Sequence, residues 1–270
     1  YDSALSVRMG DTHVLNLNDC AIRTPRRARE VRDAVGACDV LLTQFSYAAW
    51  KGGRENRDWR EDAAAEKINN IKVQAEVLEP KTVIPFASFV SFAHARNVYL
   101  NDAANHPDDI MAALADAPFD LCVMQPGDVT DGTVKPGQND AAVAFWQAQY
   151  DRAGHDLMTY DSVDAGQSWQ VDPPRGTLHK TDDPADLIMH SESLNFLFSN
   201  SFGFDTLGVN GTFEEARPGG FSRAARSISI ENLNNLGIRF GPGLLLNPKI
   251  IGIFLERLRG VSAKMKRKET

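Results

Sequence analysis

Two apolar segments, each predicted to be a strand, lead to the residues that are the clearest candidates for catalysis or metal binding. The first, residues 13–20 (HVLNLNDC), carries Asp19 next to its last position, and the second, residues 82–86 (TVIPF), is followed in the chain by His94. A carboxylate at the tip of a parallel strand is well placed to ligate a metal ion or to act as a base. The alternative for Asp19 is a turn-forming or helix-capping role, which Asp also favours.

The loop that follows the second strand concentrates polar side chains. Residues 91–105 include His94, Arg96 and Asn97, a combination suited to binding an anion or a metal ion. The Arg96 guanidinium is a fork of donors that matches a carboxylate or phosphate group. The alternative for His94 is a structural hydrogen bond within the loop.

A second long loop, residues 45–59, contains Tyr47 and Trp50. Long loops after strands of α/β proteins are common places for function. Tyr47 and Trp50 are therefore candidate substrate contacts, and their alternative role is packing within the loop.

A framework of alternating strands and helices must position these candidates. Thr24 followed by Pro25 is a helix start, and apolar residues at helical spacing predict a long helix that Pro80 ends. The alternation predicts an α/β layered core over residues 1–130. The predicted strands are 6–18 (two strands around a turn), 39–44, 82–86 and 120–125, and the predicted helices are 24–35, 61–79, 107–115, 139–153, 184–200 and 248–264.

Residues 131–270 differ in character and predict a mainly α C-terminal extension that packs on the core. Within it, residues 162–184 predict an extended connection, and residues 202–213 predict an aromatic turn followed by a strand. The extension is expected to build a wall of the substrate site or a homo-oligomer contact.

The composition excludes several classes of protein. A net charge of −7 and a pI near 5.4 argue against general nucleic-acid binding, which needs a basic face. The sequence contains no apolar run of about 18 residues, so no membrane span is expected. Three scattered cysteines are too few for a disulfide framework, which favours a reducing, cytoplasmic location.

Residues 16–20 (NLNDC) resemble the metal-ligand region at a strand tip in the metallo-β-lactamase superfamily. Further segments resemble more specifically the branch that contains CMP-N-acetylneuraminate hydroxylase and related bacterial proteins. The resemblance covers about the first 130 residues, and the segments that carry its second part are 42–48, 80–87, 93–94 and 125–128.

The resemblance implies the C-terminal half of an αββα-type layered sandwich, with Asp19 as the shared carboxylate ligand of a zinc or iron site. The superfamily's His-x-His-x-Asp-His motif is absent, and Ala87 occupies the slot of its last histidine. His94, seven residues further on, is the candidate replacement ligand or a part of the substrate pocket. The chain begins at Tyr1 and enters a strand early, so we expect a preceding segment or chain to complete the fold and the metal site.

The resulting hypothesis is a metal-dependent hydrolase that attacks a small anionic substrate with a metal-bound hydroxide. Asp19 and His94 would be its catalytic and metal-binding residues, and Arg96, Asn97, Tyr47 and Trp50 would bind the substrate. One alternative keeps the fold but makes the protein an iron-dependent oxygenase or redox enzyme. The other is a degenerate, non-catalytic binding protein, which the loss of the histidine at Ala87 favours.

Overall fold

A computed structural model of the chain describes residues 3–155, 168–172, 177–200 and 202–228, and the single positions 248 and 251. The fold is mixed α/β, which confirms the predicted class. No helix in these ranges is both long and apolar enough to cross a membrane.

The strands are β1 (Leu5–Met9), β2 (Thr12–Asn16), β3 (Val40–Thr43), β4 (Thr82–Pro85), β5 (Asp120–Leu121), β6 (Ser168–Asp172), β7 (Thr177–Thr181), β8 (Leu187–Met189) and β9 (Phe213–Glu215). The helices are α1 (Pro25–Val35), α2 (Arg57–Leu78), α3 (Pro107–Ala113), α4 (Gln138–His155), α5 (Ser191–Ser199), α6 (Gly203–Asn210) and α7 (Gly220–Ile228), with a 3₁₀ turn at Val98–Asn101.

The main sheet has five strands in the order β1-β2-β3-β4-β5. The first two form an antiparallel hairpin, and the three remaining pairs are parallel. Parallel neighbours need long crossover connections, which α1 and α2 provide between β2, β3 and β4. The carboxyl ends of β2, β3 and β4 therefore meet at one edge of the sheet.

One face of the sheet is covered by helices. Leu15, Leu41 and Val83, from three adjacent strands, are buried against Ile71 and Leu78 of α2. Partly buried residues of α1 pack on the same cluster. This arrangement is expected for parallel strands, whose apolar side chains need a helical layer to exclude water.

The start and the end of α1 follow local signals that the sequence shows. The Thr24 hydroxyl accepts a hydrogen bond from Arg27 N at 3.4 Å, and Pro25 occupies the first helical position. Gly36 follows the helix with a φ of 87°, which a residue with a side chain adopts rarely. Local chemistry therefore determines where this helix lies in the chain.

The opposite face of the sheet has a smaller buried cluster, which is covered by a loop. Its buried centre consists of Val40, Ile84 and Cys122, and among the described residues this cluster contains only strand and loop positions. The Thr82 hydroxyl donates to Gly132 O, so a loop lies over this centre.

The part of this face nearest to β1 is open. Leu5 and Met9 are 61% and 65% exposed, and they alternate with Val7 on the same side of the strand. Val7 pairs with Val14, and Val14 packs on the cluster of the open face. An apolar sheet surface is thus continuous from the cluster to the exposed side of β1.

The extension packs on loops of the first part of the chain. Leu197, Phe204 and Phe213 form one buried cluster with Trp50 and Leu100. The antiparallel pair β8–β9 and helices α5, α6 and α7 supply the residues of the extension in this cluster. The loop after β3 and the loop after β4 therefore both pack against the C-terminal extension.

Two predictions for the extension differ from the structure. The aromatic turn predicted after residue 202 is instead helix α6, whereas the strand predicted after it is present as β9, which begins at Phe213. A Cβ atom at Gly203 would lie 2.3 Å from Leu197 O, so a glycine allows α6 to approach α5 closely. Tertiary packing of Phe204 and Leu207 outweighs the low helix propensity of the glycines.

The second difference concerns residues 184–200. The predicted single helix is preceded by the short strand β8, and α5 begins only after His190. The predicted extended connection over 162–184 forms an antiparallel pair, β6–β7, where it is described. The predicted helix over 248–264 lies outside the described residues except at positions 248 and 251.

Asp39 joins the amino ends of three strands. Its Oδ2 accepts from His13 N at 2.8 Å, and its Oδ1 accepts from Lys81 Nζ at 2.8 Å. The Lys81 ammonium, and next the His13 amide, hold the pKa of the Asp39 carboxyl below its usual value. Replacing Asp39 by Asn should lower the free energy of unfolding by about 1 kcal/mol at pH 7, a modest figure because Lys81 is largely exposed.

This effect should depend on pH in a defined direction. Because the folded-state pKa of Asp39 is lowered, its stabilisation is present above the unfolded-state pKa of about 3.9 and is lost as the pH falls through the folded value. Denaturant unfolding of both proteins at neutral and acidic pH should show the difference shrinking in acid. A difference that stays constant would contradict the role of this carboxylate.

Candidate functional site at the carboxyl edge of the sheet

Asp19 lies at the carboxyl edge of the main sheet, one turn after β2. Asn18 N donates to Asn16 Oδ1 at 2.8 Å, and Asn18 adopts a φ of 43°, a conformation that Asn tolerates better than most residues. Cys20 N donates to Leu17 O at 2.8 Å and completes the turn. The turn leaves Asp19 exposed at the edge, where the sequence predicts it.

The side chain of Asp19 is linked to the next strand and to a helix. Its Oδ1 accepts a short hydrogen bond from Gln44 Nε2, and Gln44 follows β3 directly. Gln44 Oε1 in turn accepts a short hydrogen bond from Lys67 Nζ of α2. One amide thus connects a carboxylate at the tip of β2 with an ammonium group above the tip of β3.

Further charged side chains surround this link. Arg23 and Glu66 form an exposed ion pair at 3.1 Å. Burial, followed by repulsion from Arg23, lowers the pKa of both Lys51 and Lys67, while Glu66 acts in the opposite direction on both. The charge of Lys51 also lowers the pKa of Lys67, and the charge of Asp19 raises it. Cations therefore outnumber anions around the carboxyl edge.

Ala87 lies at the same edge, after β4, so that β3 separates it from Asp19. It adopts a φ of 56°, which is uncommon for a residue with a Cβ atom. The adjacent Ser88 hydroxyl accepts from Phe45 N at 3.1 Å and donates to Ser46 O at 3.2 Å. The slot that the resemblance assigns to a histidine thus lies at the same edge as Asp19, two strands along the sheet, but its methyl side chain offers no ligand.

His94 is held in a different set of contacts. It is 7% exposed, His94 N donates to Asn97 Oδ1 at 3.0 Å, and its Nδ1 accepts from Arg96 N at 3.1 Å. Burial, followed by repulsion from Arg96 and His190, lowers the pKa of the His94 imidazole. These contacts brace the loop, and none of them leads to Asp19.

The other predicted substrate contacts lie mostly in the interior. Tyr47 is 1% exposed and donates to Leu100 O, and Trp50 Nε1 donates to Tyr99 OH at 3.2 Å. Asn97 Nδ2 donates to Asn210 O at 2.6 Å and ties the loop to the end of α6.

Arg96 forms an ion pair with Glu214 at 3.4 Å. The structure therefore gives Arg96, Asn97, Tyr47 and Trp50 packing and bracing contacts and does not bring them to Asp19. Their role in binding a substrate stays a prediction.

The described residues alone do not fit a complete metal site at this edge. A protein metal site needs roughly four ligands, and among the described residues Asp19 is the one carboxylate that is hydrogen-bonded to Gln44. A separate group, His106, Asp108 and Asp109, has potential ligand atoms within 4.8 Å of one another at the start of α3. His106 N donates to Asp109 Oδ2 at 2.8 Å, and the His106 ring stacks on Tyr150, which are the contacts of a helix cap.

Gln44, Lys51 and Lys67 are the members of this edge that the sequence analysis did not select as site residues. Gln44 carried a usable signal, because it directly follows the strand beside β2. The two lysines carried none, since they come from a loop and from the third turn of a long helix.

A cavity of about 220 Å³ lies elsewhere, among α5, α6 and the segment that follows α6. Its lining includes His190, Ser193, Phe196 and Thr212. It shares no lining residue with the Asp19 edge.

No family model, curated protein or solved structure matches this chain. The geometry of the carboxyl edge is therefore the basis for assigning a function.

Proposed function

We propose that this chain is the second half of a metal-dependent hydrolase of the metallo-β-lactamase fold, acting on a small anionic substrate at the carboxyl edge of its sheet. The observation that carries the proposal is the link from Asp19 through Gln44 to Lys67 across the tips of β2 and β3. It places a potential metal ligand beside groups that attract an anion. In open α/β sheets, ligands bind outside the carboxyl ends of the strands.

The layered sandwich is supported by the open face of the sheet. Helices cover one face, whereas Leu5, Val7 and Met9 continue an apolar surface on the other. A sheet buries such a face by packing on a second layer about 10 Å away. A second sheet on this face would complete the αββα arrangement.

The metal site requires donors beyond the described residues. Asp19 is the ligand that this chain would contribute, because it is exposed at the edge and its second oxygen, Oδ2, has no described hydrogen-bond partner. We leave His94 out of the ligand set, since its backbone and its Nδ1 brace the 94–97 loop. A zinc or iron ion bound by such a set would supply a water of lowered pKa, near about 7.

The anionic substrate is supported by the local charge. The chain as a whole carries −7, yet Arg23, Lys51 and Lys67 gather around the edge. A cationic patch in a negatively charged protein favours a negatively charged ligand at that place.

The proposal is tested by hydrolysis assays on the full-length natural protein. Anionic esters, lactones and phosphodiesters would be offered before and after treatment with a chelator. We expect hydrolysis that the chelator abolishes and that zinc restores. Hydrolysis that is insensitive to the chelator, or none with any substrate of a metal-loaded protein, would refute the proposal.

A further inference from the structure

We propose that Lys51 and Lys67, with Arg23 at the rim, form a binding site for an oxyanion, either a carboxylate or a phosphate group. The inference rests on the proposed function only in taking that group to be part of the substrate. The binding site itself follows from the placement of the three cations beside Asp19. It also replaces Arg96 and Asn97 as the anion-binding pair, since those two side chains brace a loop.

Lys51 and Lys67 have hydrogen-bond donors to spare. An ammonium group has three donors, and Lys67 uses one of them on Gln44 Oε1. Within the described ranges, no hydrogen bond or ion pair engages the ammonium of Lys51. Both side chains are nevertheless partly buried, so each holds a cation in an incompletely solvated position. An oxyanion would satisfy these donors with charge-assisted hydrogen bonds.

Among the described residues, the charged groups around the two lysines do not balance. Glu66 is paired with Arg23 at 3.1 Å, and the carboxylate of Asp19 accepts from Gln44 instead of from a lysine. Two carboxylates therefore face three cations. Partly buried charges are screened less than exposed ones, so the excess positive charge acts at short range on a bound anion.

The alternative is that both lysines only lay their aliphatic stems on the surface while their heads remain in water. The geometry argues against this for Lys67, because its ammonium turns to the amide of Gln44. Lys51 comes from the loop after β3 and Lys67 from α2, and the charge of Lys51 acts on Lys67.

Protonation and anion binding should be coupled here. Burial and repulsion lower the pKa of both lysines, and a bound anion favours their charged forms. The charged groups that face them are Arg23, Glu66 and Asp19. Affinity for an anion of constant charge should be flat at low pH and fall as the pH rises, beginning below the usual lysine pKa of about 10.4.

Calorimetric titration of the full-length protein with inorganic sulfate tests this site, because the charge of sulfate does not change over the relevant pH range. Lys51→Met and Lys67→Met should each weaken binding by about tenfold or more, the equivalent of one lost charge-assisted hydrogen bond. Lys72→Met is the matched control, since Lys72 is exposed on the same helix, and it should bind like wild type. Circular dichroism would confirm that each variant is folded.

Asp19→Asn separates this inference from the proposed function. That variant should lose metal but bind sulfate at least as tightly as wild type, because a repelling carboxylate is removed. A parallel titration with acetate distinguishes a carboxylate site from a phosphate-like site, and tighter binding of either anion supports the inference. Sulfate affinity that is unchanged in both lysine variants, or that disappears in Asp19→Asn, would overturn it.

Discussion

Replacing Arg60 by Met should lower the free energy of unfolding by about 2–3 kcal/mol, the largest effect on stability that we expect from a single substitution. The Arg60 side chain is 0% exposed and forms two hydrogen bonds with Asp102, Nε–Oδ1 at 2.6 Å and Nη2–Oδ2 at 2.8 Å. Its Nη1 also donates to Gly53 O at 2.6 Å. Removing the guanidinium leaves a carboxylate and a buried carbonyl without their donors.

Denaturant unfolding of Arg60→Met beside Arg57→Met would measure this effect. Arg57 lies on the same helix but is exposed, and its solvent-screened pair with Glu61 should contribute little to stability. The double variant Arg60→Met/Asp102→Leu should recover part of the loss, because no carboxylate is then left without its guanidinium partner. Equal stabilities of Arg60→Met and Arg57→Met would show that the contacts of Arg60 with Asp102 and Gly53 do not stabilise the fold.

The contacts of Arg60 with Asp102 and Gly53 matter for the candidate site as well as for stability. Arg60 joins the loop that carries Lys51 to the loop that carries His94, through Gly53 and Asp102 respectively. Its guanidinium also lies over the Tyr99 ring, 5.2 Å from the centroid. Both loops should therefore lose order together when Arg60 is removed.

Replacing Asp19 by Asn should eliminate stoichiometric metal from the full-length natural protein while leaving the fold intact. The substitution keeps the size of the side chain and its contact with Gln44, but it removes the anionic ligand that a divalent cation needs. Because Asp19 is exposed, its loss should change the stability by less than about 0.5 kcal/mol. Elemental analysis by mass spectrometry gives the metal content, and denaturant unfolding gives the stability.

Asp11→Asn is the matched control for this substitution. Asp11 is also exposed, but it lies in the turn between β1 and β2, at the opposite end of β2 from Asp19. Its replacement should leave the metal content unchanged. Retention of metal by Asp19→Asn would remove Asp19 from the ligand set.

The parts of the fold that sequence predicts well are those that local chemistry determines. The helix after Thr24 and Pro25 and the long helix before Pro80 are present within a few residues of their predicted bounds. Asp19 is found at the edge of the sheet because the carboxyl end of an apolar parallel strand has a fixed place in an α/β fold.

The parts that sequence did not reveal depend on contacts between distant residues. Lys67 reaches Gln44 across 23 positions, and Arg60 reaches Asp102 across 42. The sequence around a lysine or arginine on a helix does not indicate which distant residue its side chain will contact. The converse holds for Tyr47 and Trp50, whose place in a loop indicated function although the structure buries both.

The metal content of the purified, full-length natural protein tests the central claim most directly. Elemental analysis by mass spectrometry should find about one or two zinc or iron ions per chain. Zinc would support the hydrolase, whereas iron would favour the oxygenase or redox alternative on the same fold. Absence of any stoichiometric metal would contradict the proposed metalloenzyme and leave a non-catalytic binding protein as the better account of this chain.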